Sequence, residues 1–279
     1  MPHINIDNLV EDIYNLAETK SHPARVDAEK VIKDFGSNME DIMREWIYPT
    51  WDGEVRTLRM SNIGQADRKL WYKHRKVKGE KLRAPTLIKF LYGHLIEEML
   101  LALVKLSGHE VTAEQKQVEV EGIKGSMDCK IDGILTDVKS TSTYGFKKFK
   151  YDDLEKDDPF GYIDQISGYG HAEGVDEAQF LAMDKQNGYL AVSKVNLIDK
   201  DIVSRIKHLK EMVKDDNIPD VCFELVPDGK SGNMKLPVGC SYCEYKRECY
   251  PNMRVFAYST GPRFLPVVNK EPNVQEIKL

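Results

Sequence analysis

The chain has 279 residues, enough for one large domain or for a core domain with small additions. Its apolar fraction of 41% and charged fraction of 30% are those of an ordinary globular protein, and no stretch reaches the roughly 20 apolar residues of a membrane span. A net charge of −5 excludes a nonspecific polycation but allows a local basic groove. The first residues lack the basic and apolar regions of a secretory signal, so we expect a cytoplasmic protein.

Helices dominate the first third of the predicted structure. Apolar residues spaced by three and four predict two or three helices in residues 1–46. A basic helix is predicted to begin at Ser61, a residue type typical of N-caps. A long amphipathic helix is predicted between Pro85 and Gly108. From 109 to 141 the apolar period becomes two, which predicts a meander of strands.

Helices and one more hairpin follow the meander. The sequence predicts a helix over 159–174, a hairpin over 178–197 with Asn187–Gly188 as its turn, and a helix over 199–216. A Cys-containing segment and a Pro-rich tail over 259–279 complete the chain, and we expect the tail to be poorly ordered or draped on the surface. This order predicts a mixed α/β fold with a central sheet flanked by helices.

Positive charge is concentrated in two segments. Residues 68–83 hold eight Lys or Arg against one Glu, interleaved with Trp71 and Tyr72, and a second basic cluster lies at 145–150. A solvated face explains such a run about as well, but the interleaved aromatic residues favour a surface that contacts phosphates. The predicted DNA-binding residues in the first segment are Arg68, Lys69, Lys73, Arg75 and Lys76.

Cysteine spacing predicts a metal site. Three cysteines, Cys240, Cys243 and Cys249, fall within ten residues, and Cys222 precedes them. In a cytosolic chain such clustering indicates metal binding more readily than disulfides. Cys129 stands apart and is predicted to be a core residue.

The stretch from Gly125 to Thr141 has the alternation of a buried hairpin but carries three aspartates. With Asp132–Gly133 as a two-residue turn, Asp128 is predicted to lie directly opposite Asp137, and Lys139 to share that face. Opposed like charges destabilise a hairpin, so a cation such as Mg²⁺ or Mn²⁺ between them explains the pair. The alternatives are a solvated polar face, or a longer turn that shifts the pairing.

These residues resemble the active-site hairpin of the PD-(D/E)XK nuclease superfamily, with Asp137, Val138 and Lys139 in the D-x-K position. On the preceding helix, the spacing from Gly93 to Glu97 resembles the G-x-x-x-(E/H) motif of RecB-like nucleases. The neighbouring Glu98 and His94 could serve instead of Glu97.

Two further motifs extend the resemblance, which covers roughly 60–255. Gln165 and Tyr169 match the Q-x-x-x-Y motif that follows the catalytic hairpin in this branch. The C-x2-C-x5-C spacing from Cys240 resembles that of iron–sulfur members, the CRISPR-associated RecB-like exonucleases and their phage-encoded relatives. Ala66 stands where those members have their first cluster cysteine, so Cys222 is the candidate fourth ligand. Zinc is then slightly favoured over a 4Fe–4S cluster.

The resemblance implies a restriction-endonuclease-like core and a metal-dependent deoxyribonuclease. Glu97, Asp128, Asp137 and the Val138 carbonyl would hold Mg²⁺ or Mn²⁺, and Lys139 would position the attacking water. Gln165 and Tyr169 would orient the scissile strand, and the hydroxyls of Ser140 and Thr141 could contact phosphate. The Cys site would act as a structural clasp. The predicted domains are a helical extension at 1–58, the nuclease core at 59–221, a Cys-rich metal-binding segment at 222–258 and a tail at 259–279.

The expected substrate is DNA, as single strands or ends cut by an exonuclease, in recombination, repair or phage DNA metabolism. The expected compartment is the cytoplasm, that of a bacterial host if the chain is phage-encoded, with no membrane partner. A noncatalytic DNA-binding adaptor on the same scaffold, and a structure-selective endonuclease or junction resolvase, are the alternatives. The first 45 residues could cap the core, form a dimer interface, or dock a helicase or recombination partner.

Overall fold

The computed structural model describes residues 5–49, 58–82 and 84–278. The α-helices are α1 (Leu9–Thr19), α2 (Ala28–Ile47), α3 (Asp67–His74), α4 (Ala84–Ser107), α5 (Thr143–Lys150), α6 (Tyr162–Glu173), α7 (Ile202–Met212), α8 (Val238–Ser241) and α9 (Lys246–Cys249). The strands are β1 (Val111–Thr112), β2 (Lys116–Val120), β3 (Ile123–Met127), β4 (Cys129–Ile131), β5 (Ile134–Thr141), β6 (Glu177–Asp184), β7 (Leu190–Asn196), β8 (Val226–Pro227), β9 (Met234–Lys235), β10 (Arg254–Tyr258) and β11 (Gly261–Leu265). None of the helices in these ranges is long and apolar enough to cross a bilayer.

The chain divides into two compact units. The larger unit comprises Met1–Ile63, Arg83–Asp158 and Tyr162–Ser204, and the smaller comprises Gly64–Leu82, Pro159–Gly161 and Arg205–Leu279. The predicted division at residues 58, 221 and 258 stays a prediction.

A five-stranded mixed sheet forms the centre of the larger unit, in the order β1-β4-β5-β6-β7. Strands β5 and β6 are parallel, and the other neighbouring pairs are antiparallel. A parallel pair needs a long crossover, and α5 and α6 lie between β5 and β6 in the chain. The predicted mixed α/β fold, with a central sheet flanked by helices, is therefore confirmed.

The core of the larger unit lies between this sheet and helices α1 and α4. Its buried residues are Leu9, Ile13, Leu100, Leu101, Val104, Cys129, Ile131, Val138 and Leu181. Leu9 and Ile13 come from α1, and the Tyr14 hydroxyl of the same helix accepts a 2.7 Å hydrogen bond from the backbone N–H of Leu190. Helix α1 therefore caps the core, which is one of the three roles considered for the N-terminal residues. The prediction that Cys129 is a core residue is confirmed.

The predicted hairpin turn and its register are confirmed over three pairs. Asp132 and Gly133 have positive φ values of 47° and 84°, as a two-residue turn of this kind requires. The paired residues are Cys129 with Thr136, Lys130 with Leu135, and Ile131 with Ile134. The ladder ends there because the chain before it turns away, and β3 pairs with β2 instead. Asp128 therefore lies in the junction between β3 and β4 rather than in a regular strand pair.

Three local predictions were wrong. The basic helix begins at Asp67 and ends at His74, so Ser61 does not cap it and residues 75–82 are not helical. The second hairpin has a longer turn over residues 185–189, since Met183 pairs with Leu190 and the Asp184 carboxylate accepts hydrogen bonds inside the loop. The tail over 259–279 is not poorly ordered within the described residues, because it contains β11, which pairs with β10, and a further bridge from Glu276. The other expectation for it, a tail that lies on the surface, agrees with its mostly exposed or half-buried residues.

Gly125 allows a close approach in the larger unit and gives a test of this packing. A Cβ atom at Gly125 would lie 2.3 Å from Met60 Cβ and 3.2 Å from Tyr169 Cε1, and both neighbours are buried. We expect Gly125→Ala to lower the free energy of unfolding by about 1–3 kcal/mol in urea titrations. Gly36→Ala on α2 is the control, because the added Cβ contacts no described atom within 4 Å, and it should be neutral or stabilising by up to about 1 kcal/mol. Equal stability of Gly125→Ala and wild type would contradict the packing.

Candidate active site

Asp137 is the centre of a charged cluster in the larger unit. It lies on β5 between β4 and β6, and it is 1% exposed. Its Oδ1 accepts a 3.1 Å hydrogen bond from Gln165 Nε2 on α6, and its Oδ2 faces the ammonium of Lys139. Because side chains two residues apart on a strand share a face, β5 alone brings this acid and this lysine together.

Asp128 reaches the same place from the β3–β4 junction. Its Oδ2 accepts a 2.8 Å hydrogen bond from the backbone N–H of Val138. Val138 stands between Asp137 and Lys139, so the Asp128 carboxylate lies against the D-x-K segment. The predicted strand pairing of Asp128 with Asp137 does not form, because the ladder has already ended at Cys129, and the backbone N–H that donates to Asp128 makes the contact instead.

Glu97 is the acid of α4 that faces the cluster. Its Oε1 accepts a 3.0 Å hydrogen bond from Gln115 Nε2. The adjacent Glu98 points elsewhere, since its Oε2 accepts a 2.9 Å hydrogen bond from Asn38 Nδ2 on α2. His94 is exposed. The geometry favours Glu97 over both alternatives as a partner for the two aspartates.

The three carboxyl groups disfavour one another's ionisation. Burial, followed by the charges of Asp128 and Asp137, raises the pKa of Glu97 to about 8. Burial and the charge of Asp137 raise the pKa of Asp128 to about 7. Burial also raises the pKa of Asp137, despite the opposing effect of Lys139. Several acids with raised pKa values and one cation are typical of a functional site.

Lys139 stays charged in this environment. Burial lowers its pKa, but the carboxylates of Asp137 and Asp128 outweigh burial and raise the pKa above the ordinary value. The Lys139 Nζ also lies 5.0 Å from the ring centre of Tyr162, at the start of α6. That ring packs against Phe149 and Phe180 at centroid distances of 6.2 and 6.4 Å. Tyr162 was not predicted from the sequence, although its position three residues before Gln165 on the same helix was a usable signal.

Three more predicted residues lie nearby. Tyr169 is buried at 1% exposure, one helical turn beyond Gln165. Ser140 and Thr141 are half-buried at the end of β5, and the Thr141 hydroxyl donates to the Ser142 carbonyl at 3.2 Å. Within residues 5–49, 58–82 and 84–278, no group of three or more His, Cys, Asp or Glu side chains has an arrangement ready to hold a metal ion.

The predicted basic DNA-binding residues belong to the smaller unit. Arg68 and Lys69 line a cavity with the cysteines instead of projecting as free cations. Arg75 donates to the carbonyls of Lys214 and Asp215 at 3.2 and 2.6 Å, and therefore binds the chain just after α7. Their role in DNA binding stays a prediction, as does that of Lys73 and Lys76.

Four cysteines line one small cavity in the smaller unit: Cys222, Cys240, Cys243 and Cys249. Burial and the charges of the other three thiols raise the pKa of Cys240 to about 12. The Cys243 sulfur accepts a 3.4 Å hydrogen bond from the backbone N–H of Tyr245. Burial raises the pKa of Cys222, whereas backbone N–H groups of Lys69 and Arg68 lower it by donating to the sulfur. Cys222 thus reaches the same cavity as the three clustered cysteines.

Known proteins resemble this chain only in structure. No protein-family model matches the sequence, and no curated protein matches it. The protein SSO0001 is 15% identical, with a TM-score of 0.45, over 76% of this chain and 93% of its own. An alkaline exonuclease from Laribacter hongkongensis is 15% identical, with a TM-score of 0.37, over 61% of this chain and 94% of its own. A phage-related exonuclease from Haemophilus somnus 129PT is 14% identical, with a TM-score of 0.30, over 72% of this chain and 90% of its own. Function therefore has to be argued from the geometry of the sites.

The carboxylate cluster should make stability depend on pH when no metal is present. Because the folded chain raises the pKa values of Glu97 and Asp128 from 4.5 and 3.8 to about 8 and about 7, the unfolded chain ionises first. The free energy of unfolding should then fall as pH rises from about 4 to about 8. Asp128→Asn keeps an oxygen acceptor for the Val138 N–H and removes one charge. It should be more stable than wild type at about pH 8 and flatten this dependence.

The measurement is urea unfolding with EDTA across this pH range. Glu98→Gln is the matched control, because Glu98 binds Asn38 and its neutral form can still accept that hydrogen bond. It should follow the wild-type curve. An Asp128→Asn variant no more stable than wild type at the upper end of the range would show that the carboxylates do not repel as described.

Proposed function

We propose that this chain is a divalent-metal-dependent deoxyribonuclease, an exonuclease that cuts single-stranded DNA or DNA ends in recombination, repair or phage DNA metabolism. The observation that supports this proposal is the convergence of Glu97, Asp128 and Asp137 around Lys139, whose charge acts on all three carboxyl groups. Burial raises the pKa values of all three acids, and the charge of Asp137 adds to this effect at Glu97 and Asp128, so the acids weaken the fold unless cations offset their charge. A lysine in the same cluster adds a group that can act on water and phosphate.

The donor set fits a hard divalent cation. Its ligands would be the carboxylates of Glu97, Asp128 and Asp137 with the Val138 carbonyl, an all-oxygen set of the kind that Mg²⁺ and Mn²⁺ prefer. Asp137 Oδ2 is buried, and among the described residues it has no partner apart from the Lys139 ammonium. When bound, such an ion supplies Lewis-acid stabilisation of the phosphate and lowers the pKa of a bound water.

The protein's own groups would position the reactants. Lys139 would hold the attacking water and offset the charge that develops on the phosphate. Gln165 fixes the Asp137 carboxylate through its hydrogen bond, and the Tyr162 ring confines the lysine. Tyr169 would support the scissile strand together with Gln165, and the hydroxyls of Ser140 and Thr141 would contact phosphate.

The basic segment of the smaller unit is a second proposed contact with DNA. Arg68, Lys69, Lys73, Arg75 and Lys76 would bind the phosphate backbone without reading sequence. Arg75 and Lys76 are its exposed members.

The four cysteines would hold a structural metal, which we propose to be Zn²⁺, with a 4Fe–4S cluster as the alternative. Four sulfurs around one cavity fit either group, and N–H groups that donate to sulfur are the usual outer partners of such sites. The metal would contribute folding free energy rather than chemistry.

The nuclease is tested with 5′-labelled single-stranded, double-stranded and circular DNA in Mg²⁺, Mn²⁺ or EDTA. We expect metal-dependent cleavage by wild type and a loss of about 10²–10³-fold in rate for Lys139→Ala, because the variant lacks the proposed water-positioning cation. Lys124→Ala is the control, since Lys124 is an exposed lysine on β3 outside the cluster, and it should cut like wild type.

Each result has a defined meaning. Cleavage of linear but not circular DNA supports the exonuclease, whereas cuts in circular DNA point to the endonuclease or junction resolvase. Circular dichroism and DNA binding of Lys139→Ala distinguish loss of chemistry from loss of fold. If wild type binds DNA but never cuts it with either metal, the catalytic proposal fails and a noncatalytic adaptor becomes the better description.

Metal analysis tests the cysteine cavity. We expect one zinc per chain in the purified protein, and we expect Cys240→Ser to lose that metal and melt roughly 5–10 °C lower, because the metal ties distant segments together. Cys129→Ala is the control, because Cys129 is a core residue of the larger unit, and it should keep its metal. A visible absorption band with bound iron would establish the cluster instead, and a metal-free wild type would contradict both assignments.

A further inference from the structure

Helix α4 and strand β5 lead away from the carboxylate cluster side by side. On α4, Gly93 and Lys89 lie one and two turns before Glu97, on the same face of the helix. On β5, Ser140 lies three residues beyond Asp137. The two elements run close to each other at this point, since a Cβ atom at Gly93 would lie 3.9 Å from Ser140 Oγ. The two segments therefore connect the acids with the end of the sheet.

Two lysines, Lys89 on α4 and Lys185 after β6, lie where these two segments end. The backbone N–H of Lys185 donates to the Thr141 carbonyl at 3.0 Å, so Lys185 follows directly on the end of β5. Lys89 is close enough that its charge adds to the effect of burial in lowering the pKa of Lys185. Both side chains are exposed, and neither forms an ion pair with an acid of the described chain. Two neighbouring ammonium groups without a carboxylate between them repel, and a bound anion would remove that repulsion.

Nearby acids do not provide that anion. Asp184 precedes Lys185, but its buried carboxylate already accepts hydrogen bonds from Thr143, Gln186 and Asn187. The sequence contains no Asp or Glu from 84 to 96 or from 138 to 151. Neither of these two stretches adds an acid beside the lysines, although the whole chain is acidic.

Exposed aromatic rings accompany the lysines on the same elements. Phe90 and Tyr92 on α4 are 56% and 51% exposed, and Tyr144 at the start of α5 is 67% exposed. Exposed aromatic rings beside cations are typical of surfaces that bind single strands, because bases stack on the rings while the cations contact the backbone.

We propose that Lys89 and Lys185 form a phosphate-binding subsite for a single-stranded nucleic acid that extends from the carboxylate cluster along the surface of α4 and the end of β5. The subsite rests on the proposed nuclease function and specifies its substrate as a single strand. Lys89 lies eight residues from Glu97, about 12 Å along the helix, so the subsite binds a phosphate beyond the scissile one.

Binding of 5′-fluorescein-labelled oligothymidylate in EDTA, followed by fluorescence anisotropy at several salt concentrations, tests the subsite. We expect Lys89→Gln and Lys185→Gln each to weaken binding several-fold and to lower the slope of log K against log salt by about 0.7, with about twice that change in the double variant. Lys89→Arg and Lys185→Arg keep the charge and should bind like wild type. Lys33→Gln is the control, because Lys33 is an exposed lysine of α2 near Asp34 and Lys105, at the other end of α4.

The binding experiment decides the subsite independently of cleavage. A double variant that binds with wild-type affinity and wild-type salt dependence would overturn the subsite and leave the nuclease proposal untouched. If Lys33→Gln lowers the slope as much as the double variant does, the effect is one of net charge and the subsite is again overturned. A wild type that does not bind the oligonucleotide would overturn both the subsite and the proposed function.

Discussion

The buried pair of Asp137 and Lys139 is the interaction on which the rest of the site depends. Both residues project from the same face of β5, and β5 pairs with β6 at both positions, so moving either side chain out of the interior would disturb that pairing. A charge buried this way persists only with a compensating partner. Lys139 and Gln165 compensate Asp137 in the folded chain. Two further acids, from α4 and the β3–β4 junction, then approach a centre that is already fixed.

Most of this arrangement could be predicted from the sequence, because most of its residues lie close together along the chain. A two-residue turn fixes the register of the hairpin, and the alternation of a strand fixes which residues share a face, so Asp128, Asp137 and Lys139 could be predicted together. The distinction between Glu97 and Glu98 could not be predicted with the same certainty, because both have the same chemistry. It depends on the rotation of α4 against α2, where Asn38 binds Glu98. Tyr162 and Lys185 depend in the same way on tertiary contacts.

Charge patterns were less reliable than apolar patterns. The run from Arg68 onward has the composition of a surface that binds DNA, yet Arg68 and Lys69 line the cavity of the cysteines and Arg75 binds carbonyls after α7. A cation can be satisfied by a thiolate, a carbonyl or a phosphate, so its presence in a sequence does not identify its partner. Apolar periodicity has fewer solutions, and the helices of the N-terminal region and the strands of the meander were predicted correctly from it.

The surroundings of Lys139 fit its proposed role, in which the ammonium group passes from one partner to another. In the folded chain its ammonium is shared between the Asp137 carboxylate and the Tyr162 ring. A cation bound by the carboxylates would compete with the lysine for Asp137, and the ammonium would then need another surface that attracts positive charge. An aromatic face supplies about 0.5–2 kcal/mol of such attraction, much less than a buried carboxylate. It can therefore hold the ammonium in place and still release it to a phosphate. A fourth acid at position 162 would hold the lysine more tightly and, in the proposed mechanism, leave it less able to act on substrate, which gives a physical reason for a tyrosine at this point of α6.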